Sequence, residues 1–218
     1  MTALETLEPE PAEAAALFGD EIERGRAFAT NLATHGEPLG LVGPLELPRL
    51  WTRHILNCAI VAPLLRPGRV GDVGSGAGLP GLVLAIARPD VHMVLIEPME
   101  RRIAWLNDQV AELGLQNVTV TRARAEDAGL TEPLDQVTAR AVSALRKLLP
   151  LTAPLLRSGG ELVLMKGAGA QAEVDASTKE LRKYKVTDVR VETLGEGVLA
   201  EPTRVILGTV RAPRHAAE

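Results

Sequence analysis

The stretch Val70-Gly71-Asp72-Val73-Gly74-Ser75-Gly76-Ala77-Gly78-Leu79-Pro80-Gly81 decides how this chain folds. An apolar run leads into it, glycines crowd its middle and an apolar segment leaves it. It therefore reads as a strand end, a tight turn and a helix start. Glycines at such a turn let the backbone bend sharply and let a ligand approach main-chain N–H groups with no Cβ in the way. Glu97 follows about twenty residues later, at the end of a second apolar run, where nucleotide-type folds place a carboxylate to accept hydrogen bonds from a ribose. These features predict an adenosyl cofactor. A strand–helix turn that needs glycine only for packing would carry the same residues.

The loop fits two cofactor patterns. Gly76-Ala77-Gly78-Leu79-Pro80-Gly81 satisfies the dinucleotide pattern G-x-G-x-x-G, and Gly74-Ser75-Gly76-Ala77-Gly78 satisfies the G-x-G-x-G turn of S-adenosylmethionine-dependent methyltransferases. Asp72 favours the second. An anionic pyrophosphate wants an apolar neighbour at the strand end, whereas a carboxylate suits an aminoacyl ligand, whose cationic α-amino group it holds directly or through water. Pro80 removes an N–H that a pyrophosphate would use, and it fits the first turn of a helix.

Outward from the loop the pattern alternates. Strands are expected at 69–73, 91–96, 118–122, 136–141 and 161–165, and helices at 79–88, 99–113, 145–156 and 171–183. Gly114 and Ser158-Gly159-Gly160 are expected helix stops. This alternation implies a doubly wound α/β fold with a parallel sheet. Two further extended runs, 186–194 and 204–210, have no helical pattern between them and are expected to pair antiparallel. A parallel sheet closed by an antiparallel hairpin is typical of class I S-adenosylmethionine-dependent methyltransferases, which are Rossmann-like; a dinucleotide fold would add another parallel strand. Upstream, 1–11 reads as a flexible acidic arm and 12–68 as a helical cap, with helices at 12–33 and 49–65. The cofactor domain, 69–218, is expected to form one compact unit with the cap.

Composition narrows the class. The 218 residues, 46% of them hydrophobic, suffice for a sizeable core. Glu5, Glu8, Glu10 and Glu13 occupy the N-terminal stretch, which lacks the basic and apolar regions of a signal peptide. No apolar run is long enough to span a bilayer. The lone Cys58 excludes an intramolecular disulfide framework and a cysteine-rich zinc site. A net charge of −4 gives no global attraction for a polyanion, so a nucleic-acid partner needs a local basic patch. A cytoplasmic monomer without metal or membrane association is expected.

Further motifs accompany the loop: Arg53-His54-Ile55-Leu56-Asn57, Arg124-Ala125-Glu126-Asp127, Thr138-Ala139-Arg140-Ala141-Val142 and Met165-Lys166-Gly167. With the Leu79-Pro80-Gly81 extension of the turn, they make nearly the whole chain resemble the bacterial small-subunit (16S) rRNA 7-methylguanosine methyltransferase G family, also known as the glucose-inhibited division protein B family. The resemblance implies S-adenosyl-L-methionine as cofactor. It also implies, as target, N7 of a guanine in the decoding-centre loop of 16S rRNA, met as free RNA or in the 30S subunit. Gly74 and Leu79 would lie against the methionine and ribose part, Ala125 and Glu126 near the adenine, and Arg140 at the site mouth. Asp72, Gly76, Gly78 and Glu97 complete the expected cofactor set. Asn57 departs from the family, which commonly shows Asp there.

Guanine N7 carries a free lone pair and loses no proton on attack, so its methylation needs positioning more than a general base. Cytosine C5 methylation would need a nucleophilic thiol near the fourth strand, and Cys58 lies in the expected cap instead. Exocyclic amine methylation commonly uses an Asn/Asp-Pro-Pro-aromatic loop, where this chain has Thr138-Ala139-Arg140-Ala141-Val142. Arg140 and Lys166 fall at the C-terminal edge of the parallel sheet, where ligands bind, and are candidates to orient the target guanine or its phosphate. Arg53, His54 and Arg124 are further RNA-binding candidates within a wider basic set that includes Arg204. Two rivals stay open: a methyltransferase acting on a small molecule, and a non-catalytic dinucleotide-sensing module.

Overall fold

A computed structural model describes residues 3–43 and 45–211; residues 1–2 of the expected arm and 212–218 of the expected cofactor domain lie outside the described residues. The apolar runs form strands β1 (Gly68–Val73), β2 (Val91–Glu97), β3 (Val118–Arg122), β4 (Leu134–Arg140), β5 (Leu156–Lys166), β6 (Val186–Leu194) and β7 (Thr203–Val210). They assemble in the order β3-β2-β1-β4-β5-β7-β6. Strands β1 to β5 pair parallel, and β7 pairs antiparallel with both β5 and β6. The parallel sheet closed by an antiparallel hairpin is the architecture the sequence predicts.

Side-chain alternation sorts the core onto two faces. Val91, Met93 and Leu95 of β2 join Val163 and Met165 of β5 on one face, against the cap. Val94 and Ile96 join Leu162 and Leu164 on the other. The first face is covered by α5 (Gly81–Ala87) and α6 (Glu100–Glu112), the second by α7 (Leu145–Thr152), α8 (Ala170–Asp175) and α9 (Thr178–Lys183). Strands buried on both faces read as continuous apolar runs for this reason. Because β1 lies between β2 and β4, the strand order reverses there. The carboxyl ends of β1 and β4 flank this switch point, the usual ligand position in such sheets.

The cap is more broken than its periodicity suggests. Helix α2 (Glu13–Phe18) and helix α3 (Ile22–His35) are separated by a 3-10 turn, Gly19–Glu21, with Gly19 left-handed at φ +54°. The expected helix at 49–65 is a π-helical segment, Leu50–Leu56, then one α turn α4 (Asn57–Ala59) and a 3-10 turn Ala62–Leu64, where Pro63 has no N–H to continue a helix. Within the stretch expected as an arm, Ala3–Thr6 is a helical turn, α1. Glu8 N–H donates to Leu47 O at 3.0 Å, and the Glu8 carboxylate accepts from Thr52 N at 2.9 Å.

Other boundaries move for local reasons. Pro150 is accommodated within α7, which gives way at Pro154 to a 3-10 turn, Ala153–Leu155. The expected stop at Ser158-Gly159-Gly160 lies within β5, where an irregularity in the β4 pairing and left-handed Gly159 (φ +78°) absorb the extra residues. The helix expected at 171–183 breaks at buried Ser177, whose hydroxyl donates to Glu173 O at 2.6 Å. Pro80 precedes the first turn of α5 instead of occupying it.

Gly81 is the tightest position in the decisive turn. A Cβ there would meet Leu95 Cδ2 and stand 2.5 Å from Asp72 Oδ2. Gly81→Ala is expected to cost about 1–3 kcal/mol through overpacking, whereas Gly169→Ala, with nothing within 4 Å, should leave the unfolding midpoint near wild type. Equal midpoints for the two variants would contradict this packing.

Candidate active site

The turn from β1 into α5 runs through three left-handed glycines, Gly74 (φ +74°), Gly76 (φ +55°) and Gly78 (φ +92°). A side chain at any of them would be strained. Its N–H groups are largely engaged inside the protein. Gly74 and Ser75 donate to Ile96 O at 2.9 and 3.3 Å, Gly78 and Leu79 donate to Ser75 O at 2.7 and 3.2 Å, and Gly76 donates to Glu97 Oε2 at 2.9 Å. Leu79 is half-buried against the cap-side core.

Asp72 is fully buried at the end of β1. Its Oδ2 accepts from Gly81 N–H at 3.0 Å, and its Oδ1 is buried with no hydrogen-bond partner. Burial pushes its pKa from 3.8 to about 7, against the pull of the Gly81 hydrogen bond and of Arg140. A helix start closed by a carboxylate repels a pyrophosphate. An orphaned carboxylate oxygen suits an ammonium. The residues present therefore fit an aminoacyl-bearing adenosyl group better than a dinucleotide.

Glu97 is 1% exposed, and both of its oxygens are already engaged: Oε2 by Gly76 N, Oε1 by Met99 N at 3.0 Å. Arg102 Nη1 approaches Oε2 to 3.6 Å. The residue expected on the ribose thus also staples the glycine turn to the end of β2. Ala123 N reaches Glu97 O at 3.3 Å and carries the next segment to the same edge. There Ala125 is buried while Arg124 and Glu126 are exposed.

Arg140 ends β4, and its guanidinium enters the cap. Nη2 lies 2.6 Å from His54 Nδ1 and 3.4 Å from Arg53 O; Nη1 lies 3.2 Å from Cys58 Sγ and 3.5 Å from His54 O. Carbonyls of the wide π-helical turn thus find a donor. His54 Nδ1 can face a guanidinium only through its lone pair, so the ring proton belongs on Nε2, 2.5 Å from Glu46 Oε2. Burial holds the His54 pKa below its ordinary value, helped by Arg140 and opposed by Glu46. Neutral His54 joins Glu46 to Arg140.

Lys166, 9% exposed, donates to Ser143 O at 2.6 Å and pairs with Glu173 Oε2 at 2.8 Å. Glu173 also accepts from Leu145 N at 2.7 Å. Lys166 therefore fixes residues 141–144, the segment that turns through left-handed Ala141 (φ +56°). Val142 in that segment leans over the glycine turn, 2.9 Å from where a Cβ on Gly74 would lie. Beyond the segment opens a cavity of about 780 Å³, whose lining includes Arg53, Asn57, Arg140, Lys166, Glu201 and Arg204.

The structure joins Asp72, Gly74, Gly76, Gly78, Leu79 and Glu97 through the hydrogen bonds of one turn, and places Arg53, Arg140 and Lys166 in the lining of one cavity with residues 141–144. Sequence reasoning missed Glu46 and Glu173. Glu46 carries a faint local signal, three residues before Arg49, which it also binds at 2.6 Å. Glu173 carries none, because Lys166 lies across the turn from β5 into α8 and Leu145 is distant in sequence. Among the described residues, no group of His, Cys, Asp and Glu could hold a metal ion, and no helix is long and apolar enough to cross a membrane.

A ribosomal RNA small subunit methyltransferase G from Leifsonia xyli subsp. xyli is 73% identical over 207 residues, covering 95% of this chain and 99% of that protein. One from Clavibacter michiganensis subsp. michiganensis is 64% identical over 204 residues, covering 94% and 97%. Among solved structures, M. jannaschii TYW2 in complex with AdoMet is similar with a TM-score of 0.57 at 19% identity, over 75% of this chain and 78% of that one. An rRNA methylase from Streptococcus thermophilus has a TM-score of 0.51 at 16% identity, over 72% and 95%. The structural likenesses show the class I, Rossmann-like methyltransferase fold. Residues 21–203 match the family described as rRNA small subunit methyltransferase G (GidB), and the chain belongs to that family.

Proposed function

We propose that this chain transfers a methyl group from S-adenosyl-L-methionine to N7 of a guanine in the decoding-centre loop of 16S rRNA. The observation that carries the reading is the glycine turn closed by a buried carboxylate, Asp72, in a chain that shares this family over nearly its whole length. Bound S-adenosylmethionine supplies a methyl group already activated on a sulfonium.

This chain's residues bind and orient. The free oxygen of Asp72 receives the ligand's α-ammonium. Glu97 fixes the turn and offers its remaining lone pairs to the ribose. Gly74, Gly76, Gly78 and Leu79 shape the turn, and Ala125 and Glu126 flank the adenine. Arg140 holds the cap at the site mouth through His54, and Lys166 holds the 141–144 segment between cofactor and substrate sides. Arg53, Arg124 and Arg204 meet phosphates of the RNA. No residue needs to take a proton from N7, and none is assigned that task. A cytoplasmic monomer that meets naked 16S rRNA or the assembling 30S subunit completes the reading; the lone cysteine, buried as Cys58, fits a reducing compartment. The open cavity beside Arg140 favours a large substrate over an enclosed small molecule.

Labelled-methyl transfer to 30S subunits and to naked 16S rRNA from cells lacking the protein, with mapping of the modified base, should place the label on guanine N7. Label on neither substrate refutes the assignment, and label on a different atom refutes the N7 choice. Tight NADH binding with no stabilisation by S-adenosylhomocysteine would support the dinucleotide rival.

The pH dependence has a definite sign. Burial favours protonated Asp72, so the free protein loses that contribution to stability as pH rises from about 4 toward about 7. The ligand's ammonium needs the ionised form. S-adenosylhomocysteine affinity should therefore rise with pH below about 7 and level off above it, up to the pH where the ligand amine itself deprotonates. Calorimetric titration across this range checks it; a flat profile would remove Asp72 from the binding site.

Arg140→Ala leaves His54 Nδ1 and cap carbonyls without a donor. It should cost about 1–3 kcal/mol of stability and lower turnover, whereas Lys179→Ala on the outer helix α9 should do neither. Thermal melts and initial rates check both, and equal behaviour of the two variants would contradict the role given to Arg140.

A further inference from the structure

The cavity of about 780 Å³ lies among the carboxyl ends of β4 and β5 and the segment entering β7, a volume that accommodates a nucleotide. Three of its six charged groups are engaged within the protein. Arg140 is held by the cap, Lys166 by Ser143 O and Glu173, and Glu173 by Lys166 and Leu145 N. Glu201 differs. It is 70% exposed, and its one ion-pair partner among the described residues is Arg53, with Nη1 at 3.6 Å, beyond hydrogen-bond length.

Resting on the guanine-N7 reading above, we propose that this cavity receives the target guanine turned out of its stack, and that Glu201 recognises it by accepting hydrogen bonds from N1–H and the N2 amino group. A base whose N7 faces the methyl donor turns its N1 and N2 donors to the far side of the ring. A carboxylate matches two parallel donors, and no cation can. Adenine presents an acceptor at N1 and is repelled by the same group.

Charge flow gives the carboxylate a second effect. The bond between sulfur and the methyl carbon breaks with its electron pair left on sulfur, while the N7 lone pair forms the new bond to carbon. No proton moves, and the positive charge passes from the sulfonium to the purine. An anion beside N1–H stabilises that purine cation more than it stabilises the neutral base, which lowers the barrier. Cations aimed at the base would raise it; Arg140 and Lys166 are turned to protein partners, and the remaining two in the lining, Arg53 and Arg204, are the ones assigned to RNA phosphates. The cap, the 141–144 segment and Glu201 then form three walls around one base.

The test pairs an enzyme variant with a base variant. 30S subunits are reconstituted with 16S rRNA ligated to carry either guanine or inosine, which lacks the N2 amino group, at the modified position. The wild-type protein should prefer guanine by about 10-fold in kcat/KM. Glu201→Gln should lower the rate on guanine by about 10- to 100-fold and erase the preference, while the thermal shift given by S-adenosylhomocysteine stays at the wild-type value. Glu201→Asp, which keeps the charge one methylene back, should restore part of the preference and so separates recognition from any loss of folding. A wild-type rate or an unchanged preference in Glu201→Gln overturns the proposal. Absence of transfer to the guanine-bearing subunit by the wild-type protein overturns instead the reading on which it rests.

Discussion

The hydrogen bond from Gly81 N–H to the buried carboxylate of Asp72 joins the end of β1 to the start of α5, and the glycine turn between them has little choice but to arch away from both. Gly81 must lack a side chain for the carboxylate to reach it, and Gly74, Gly76 and Gly78 must adopt left-handed conformations to complete the arch. Glu97 then anchors the arch from the neighbouring strand. A charge placed where a pyrophosphate would otherwise lie makes the site suitable for an aminoacyl ligand. One interaction therefore sets the geometry of the turn and the chemistry of what it binds.

The same economy of charge extends to the substrate side. Methyl transfer to N7 leaves a cationic purine, so a site crowded with free cations would oppose its own reaction. The structure meets the problem by engaging its central cations elsewhere. Arg140 braces the π-helical turn of the cap through neutral His54, and Lys166 ties down the 141–144 segment with Glu173. Arg53, half-exposed, and Arg204 also line the cavity, and Arg124 is exposed just beyond β3.

Much of the frame was legible in the sequence because buried strands must be apolar and their ends need turn residues. Strands 118–122 and 186–194 match their expected limits, and the closing hairpin follows from the lack of a helical pattern between the last two runs. The cap and the 145–166 region were less legible. Pro154 stands where a helix ends although its apolar spacing continues, and the irregular pairing of β5 with β4 hides inside a stretch that reads as a turn. The roles of Arg140 and Lys166 lie deeper still. His54 is 86 residues from Arg140, and Ser143 is 23 from Lys166. Sequence places both cations at the right edge of the sheet, and only the packed fold shows which way each one faces.

The most direct measurement of the central claim compares two ligands that share the adenosyl group and differ in the aminoacyl tail. S-adenosylhomocysteine and 5′-methylthioadenosine are titrated calorimetrically into the wild-type protein and into Asp72→Asn. The substitution should weaken S-adenosylhomocysteine by about 10- to 100-fold and leave 5′-methylthioadenosine nearly unchanged. An equal loss for both ligands would show that Asp72 serves only to shape the turn, and would contradict the account.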